Sequence, residues 1–263
     1  MSNDLARDVD LQTDRPHSAR FWNYLLGGKD NYLPDQELGE LVKREHPVLV
    51  AAARASRAFL GRSIRHLATD AGIRQFLDLG TGLPTADNTH EVAQRAAPAS
   101  RIVYVDHDPI VLAHARALLT SNAEGATDYV DADLTDPETV LAKAERTLDL
   151  TQPVGLIILS TIGHVEDATE AAELVQNYMS RLVSGSYLAL CTSIDSPAMC
   201  AAADAYSGSG APPYRVRTAA EIEACAAGLV VPAPGLAPIN RWFPETGADQ
   251  PDVDQWGYIA RKA

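Results

Sequence analysis

Gln75-Phe76-Leu77-Asp78-Leu79-Gly80-Thr81-Gly82-Leu83-Pro84-Thr85 is a short apolar run that breaks at two glycines. Such a run reads as a buried strand that turns sharply into a helix. Downstream, Ile102–Val105, Asp128–Val130, Val154–Ser160 and Tyr187–Thr192 repeat the strand pattern. The stretches between them, near Thr85–Ala96, Pro109–Thr120, Pro137–Leu148 and Asp167–Leu182, have helical composition and length. Alternating β and α segments predict a doubly wound, mostly parallel α/β sheet with helices on both faces. Ser193 to Arg217, rich in Ser, Gly, Ala and Pro, reads as an insertion with at most one helix, and Gln255–Arg261 as a final strand. Upstream, Phe21/Leu25 and Trp22/Leu26 fall at helical spacing until Gly27-Gly28 stops them, and Pro34 and Pro47 each open a further helix. The expected division is a tail and helical cap over residues 1–71 and a core over 72–263, together one compact unit.

Composition narrows the function. The chain has 263 residues, 46% hydrophobic and 22% charged, so disordered, collagen-like and coiled-coil classes are excluded. Its 22 Lys and Arg against 35 Asp and Glu give a net charge of −13, which repels polyphosphate, and no basic stripe compensates. Nucleic acid is therefore not an expected partner. Met1 to Asp14 lacks an apolar leader core, and the longest apolar run, near Val154 to Ile162, is too short for a membrane span, so the expected address is the cytoplasm. Cys191, Cys200 and Cys225 lack metal or disulfide spacing, and no metal site is expected.

In a doubly wound sheet, ligands bind at the carboxyl ends of the strands, where strand order reverses. Gly80 and Gly82 let the first turn approach a ligand closely, and the following amides suit a carboxylate or a phosphate equally. Asp106 ends the second strand, where a carboxylate can accept both hydroxyls of a ribose; Asp106 or Asp108 could instead cap the helix that Pro109 opens. The third strand ends Asp131-Ala132-Asp133-Leu134, fit to meet an adenine amino group or to form a solvated turn with Asp133 or Asp136 as cap. Together the three ends describe an adenosine pocket. A dinucleotide fold would place a third glycine where Thr85 stands. Asp78, inside a strand that should be apolar, can meet an ammonium, which S-adenosylmethionine has and NAD lacks.

These residues carry a resemblance. Asp78 to Ala93 (DLGTGLPTADNTHEVA) and Val103 to Leu118 (VYVDHDPIVLAHARAL) are similar to the actinobacterial S-adenosylmethionine-dependent methyltransferases of the DUF574 type, within the class I superfamily. Arg15-Pro16-His17, Ala19 to Tyr32 (ARFWNYLLGGKDNY), Asp131 to Leu134 and Gly185 to Leu188 extend the resemblance over nearly the whole chain. It implies a Rossmann-like seven-stranded sheet with an antiparallel last strand and S-adenosylmethionine as cofactor. Gly80, Thr81 and Gly82 would embrace the methionyl part, Asp106 with His107 beside it the ribose, and Asp133 with Leu134 the adenine. Asp78 inside the first strand, Ser160 at the end of the fourth, and Tyr24, Gly28 and Lys29 of the N-terminal segment complete the expected cofactor-binding set. The chain departs from the family twice. Ile162-Gly163-His164 stands where the family shows Leu-His-His, and Cys191-Thr192 where it keeps Ser-His, which points to a different acceptor or none.

The activity so implied is methyl transfer to an unidentified small-molecule acceptor. His164, at a strand end, is the candidate base for a hydroxyl or ammonium acceptor, against a purely local role in its loop. The N-terminal helix and Gly27-Gly28 would act either as a lid, with Arg20, Tyr24, Lys29 or Asn31 reaching the ligand, or as a fixed brace. Two other readings stay open at this point. One is a non-catalytic S-adenosylmethionine sensor; the other is an NAD-linked oxidoreductase, which Thr85 and Asp78 disfavour. Oligomeric state is not legible.

Overall fold

In the computed structural model, which describes residues 12–85, 87–118, 121–244 and 251–263, three helices precede a seven-stranded sheet. The first eleven residues of the expected tail, and the last two of the helix expected over Pro109–Thr120, lie outside the described residues. The strands are β1 (Gln75–Leu79), β2 (Arg101–Asp106), β3 (Ala126–Asp131), β4 (Gly155–Leu159), β5 (Tyr187–Ser193), β6 (Ala237–Pro238) and β7 (Gln255–Arg261). Their order is β3-β2-β1-β4-β5-β7-β6. The first five run parallel, and β7 pairs antiparallel with both β5 and β6. The order reverses at β1, because β2 and β4 flank it on opposite sides. β6, only two residues long and ending in proline, left no sequence pattern to read.

Helices α4 (Thr89–Ala96), α5 (Pro109–Leu118), α6 (Pro137–Ala144) and α7 (Ala168–Arg181) make the crossovers, each near its expected place. Proline at the first position pre-sets the backbone of α6, and Asp136 and Asp167 cap α6 and α7 through bonds from Thr139 N and from Thr169 N and Glu170 N. Strands buried on both faces need continuous apolar runs, and β4 (Gly-Leu-Ile-Ile-Leu) supplies one. The Ser193–Arg217 insertion holds one helix, α8 (Pro197–Ser207), and α9 (Ala219–Ala224) follows it.

The N-terminal helices are α1 (Ser18–Leu25), α2 (Leu33–Glu45) and α3 (Pro47–Thr69). The carboxyl-terminal half of α3, with Phe59, Leu60, Ile64 and Leu67, belongs to the main core against the sheet. Its first half joins a second apolar cluster, in which Phe21 and Leu25 of α1 and Leu38 and Val42 of α2 pack against Met199, Ala202 and Tyr206 of α8. The cap is thus anchored on both the sheet and the insertion. Among the described residues no helix is long and apolar enough to cross a membrane.

Candidate active site

A cavity of about 410 Å³ opens at the carboxyl ends of the parallel strands, within the range of small-molecule and cofactor sites. The first turn after β1 forms its floor. Gly80 (φ +67°) and Gly82 (φ +64°) hold left-handed conformations that favour glycine, and a Cβ on Gly80 would stand 2.2 Å from Thr161 Cγ2. Gly80 N donates to Val105 O across to β2, at 2.8 Å. This is a cradle that side chains would fill, and its glycines leave backbone facing the cavity.

Three carboxylates follow from strand geometry. Asp78, in β1, is 8% exposed and accepts from Thr89 Oγ1 at 2.6 Å. Burial pushes its pKa up to about 6, against the opposing pull of the Arg57 guanidinium. Asp106, at the end of β2, accepts from Gly82 N (3.0 Å) and Asp108 N (2.9 Å), so it ties the glycine turn to its own strand end. Burial raises its pKa, against those two backbone bonds. Asp108 takes the capping role, its Oδ1 accepting from Ile110 N at the start of α5, and both Asp106 and Asp108 line the cavity. Asp106 is paired in register with Asp131, so the β2 and β3 ends are neighbours. Asp133 is exposed, and one of its oxygens accepts from both Thr135 N and Thr135 Oγ1 at 2.8 Å; Ala132 and Leu134 form the cavity wall there.

β4 is followed by Ser160, a non-glycine residue at φ +63° whose N–H donates to Cys191 O (2.8 Å) and whose Oγ accepts from buried Gln255 Nε2 (2.7 Å). Backbone held in this region marks a position that its surroundings over-determine. Thr161 and His164 follow it on the same wall. His164 Nδ1 lies 2.8 Å from Pro213 O and Nε2 lies 3.1 Å from Ser18 Oγ.

Of the sequence-predicted site residues, Asp78, Gly80, Thr81, Gly82, Asp106, His107, Leu134, Ser160 and His164 line this cavity together. Asp133, Tyr24, Gly28 and Lys29 do not, Asp133 because it faces solvent between Ala132 and Leu134. The Tyr24 hydroxyl donates to Glu40 and its ring covers Gly39 of α2. Gly28 backs onto Asn23, and Lys29 is exposed on the following loop. Arg20, expected to reach the ligand, is instead fully buried in the cap and paired with Asp35 at 2.8 Å. Asn31 is spent on Asn23 Oδ1 and Gly28 O within its own loop.

Sequence reasoning missed the residues with which the cap does reach the cavity. Ser18, Ala19, Trp22 and Asn23 of α1, Leu26 at its C-cap, and Ser56 and Arg57 of α3 all line it. The spacing 18, 19, 22, 23, 26 is one helical stripe and was available as a signal. His17, at the N-cap of α1, also lines the cavity, its Nδ1 3.1 Å from buried Asp108 Oδ2. Among the described residues no group of three or more His, Cys, Asp or Glu side chains could hold a metal ion.

A family model described as S-adenosyl methyltransferase matches residues 4–263 of this chain. The chain belongs to that family. Among solved structures, this S-adenosyl methyltransferase is similar to a DUF574 family protein from Streptomyces avermitilis, with 42% identity, 96% of this chain and 100% of that one covered, and a TM-score of 0.91. It is also similar to a protein from Thermobifida fusca described as a candidate methyltransferase, with 34% identity, 98% and 99% coverage and a TM-score of 0.88. LepI in complex with SAM, at 15% identity, 76% and 46% coverage and a TM-score of 0.50, shows likeness of fold alone. Among curated proteins none matches the chain. The protein is an S-adenosylmethionine-dependent methyltransferase with a Rossmann-like sheet.

Proposed function

We propose that this S-adenosyl methyltransferase methylates a small molecule, held with the cofactor in the cavity between the strand ends and α1. The observation that carries this is the recess itself. The strand-end turns lie beneath Ser18, Ala19, Trp22 and Leu26, so an acceptor has to fit under a helix. The net charge of −13 speaks against a polyanionic acceptor, and three free cysteines suit a reducing cytoplasm. Two actinobacterial relatives support an actinobacterial source.

The residues present fit the cofactor. Gly80, Thr81 and Gly82 would line its amino-acid end, with Asp78 able to balance the ammonium once ionised. Asp106, whose two backbone bonds fix its plane, would accept from the ribose hydroxyls beside His107. Ala132 and Leu134 would cover the adenine, with Asp133 Oδ2, which the two Thr135 bonds leave over, at the rim. Ser160 would hold the β4 wall in place. When bound, S-adenosylmethionine supplies an electrophilic methyl on a sulfonium, so the protein's task is alignment and exclusion of water. Within residues 12–71 the helices α1 to α3 then serve as a cap whose first helix covers the ligands. The test is incubation with methyl-labelled S-adenosylmethionine and a cell extract separated into small-molecule, protein and nucleic-acid fractions. Label in the small-molecule fraction is expected; label confined to a macromolecular fraction overturns the reading.

A further inference from the structure

We propose that Ser18 and His164 form the acceptor-facing pair of the active site, and that the acceptor's nucleophile is a hydroxyl or amine that gives its proton to Nε2 of His164. The inference rests on the cofactor reading above and names the acceptor class for that same cavity.

The hydrogen bonds fix the imidazole's tautomer. A carbonyl oxygen only accepts, so the 2.8 Å contact with Pro213 O places the ring proton on Nδ1. Nε2 therefore carries a lone pair, and the Ser18 hydroxyl donates to it at 3.1 Å. Both side chains line the cavity, together with Ser160 and Thr161 on the turn that faces Gly80. The ring is also held in place. Tyr214 meets it edge-on, with centroids 5.3 Å apart and planes at 84°, and the Tyr214 hydroxyl is anchored among Thr192 and Ser193. Bare backbone at Gly163 admits that tyrosine, since a Cβ there would stand 2.3 Å from its ring. Trp22, Pro212 and Pro213 give the surrounding wall an apolar surface.

An oriented imidazole whose acceptor pair meets only an exchangeable hydroxyl, braced from behind by a carbonyl, is the arrangement a general base requires. Burial holds His164 below the ordinary histidine pKa, with His17 and His107 acting in the same sense and the Pro213 bond opposing, so the ring is neutral near pH 7. An acceptor's own O–H or N–H would displace the Ser18 hydrogen from Nε2, and the Ser18 oxygen, then free to accept, would hold the incoming group beside the ring. In the proton step the heteroatom–hydrogen bond breaks, its electron pair stays on the heteroatom, the proton forms a bond to Nε2, and His164 becomes an imidazolium that keeps its Nδ1–H on Pro213 O. A carboxylate acceptor has no proton to give and gains nothing from this pair. Because Ser18 belongs to α1 and His164 to the turn after β4, 146 residues apart, the pair exists only while the cap is docked.

Sinefungin, the cofactor analogue with an ammonium-bearing carbon in place of the methyl-bearing sulfur, probes this point without an acceptor. S-adenosylhomocysteine, with nothing there, is the reference, and the ratio of their affinities by calorimetry cancels any general loss of binding. The ratio favouring sinefungin is expected to fall about tenfold in His164→Ala and by a smaller factor in Ser18→Ala, with the double variant less than additive. His164→Gln, which retains an acceptor oxygen, recovers part of it. Nitrogen NMR of the wild-type protein is expected to find His164 protonated at Nδ1. An unchanged ratio in either single variant while both ligands still bind, or a proton found on Nε2, overturns the pair. Failure of both ligands to bind the wild-type protein instead strikes at the cofactor cavity itself.

Discussion

Asp78 sits inside a parallel strand where a leucine or valine would pack better, and it is held there largely protonated near pH 5. Its folded pKa of about 6 lies above the ordinary 3.8, so its contribution to stability is full below pH 4 and is lost as pH rises through 6. Asp78→Asn, which keeps an acceptor for Thr89, is expected to unfold about 1–3 kcal/mol later than wild type at pH 8 and no later at pH 4, as urea titrations at the two values will read. Asp106 tests affinity instead. Asp106→Ala removes the carboxyl acceptor at the β2 end, and S-adenosylhomocysteine binding is expected to weaken about 10- to 100-fold by calorimetry. At this scale the sequence was legible where a strand ended. Gly80, Gly82 and Asp106 follow from the rule that parallel strands present their carboxyl ends to ligands. Tyr24 and Lys29 were not legible as bystanders. Which face of α1 meets the cavity depends on what the other face packs against, and that partner, α8, lies about 180 residues downstream.

Among the elements, α1 and α2 are joined through one buried carboxylate. Asp35 receives Arg20 Nε, His17 N and Tyr32 N, so a single side chain fixes the start of both helices. Arg20→Met leaves that charge buried beside two amides only. A loss of about 3–5 kcal/mol is expected in chemical denaturation, with weaker S-adenosylhomocysteine binding as α1 loosens. In the sheet, a Cβ on Gly257 would stand 2.1 Å from Leu190 O, where β7 lies against β5. Gly257→Ala is expected to cost about 1–3 kcal/mol in the same assay, because the added carbon meets the β5 backbone at Leu190 and Cys191, where no flexible group can yield. The apolar runs that predicted β1, β4 and β5 were strong because those strands bury both faces. The cap's ion pair left no such trace, since a buried Arg and Asp in the sequence look like any exposed pair.

At the scale of the whole molecule, the acidic surface carries a simple prediction. With a net charge of −13, the protein is expected not to retard duplex DNA or structured RNA on a native gel even at low salt, and retardation there would reopen the question of a nucleic-acid acceptor. The division into cap and core has a mechanical side as well. α3 runs unbroken for 23 residues, roughly 35 Å, with one half in the cap's apolar cluster and the other beneath the sheet. A rod clamped along half its length cannot swing, so the cap has no fulcrum at residue 71. Any aperture for cargo to enter or leave has to come from α1 and α2 alone, pivoting at the single residue His46 that parts α2 from α3. Amide exchange should accordingly divide there, quick on the hatch formed by the first two helices and slow along the beam behind it.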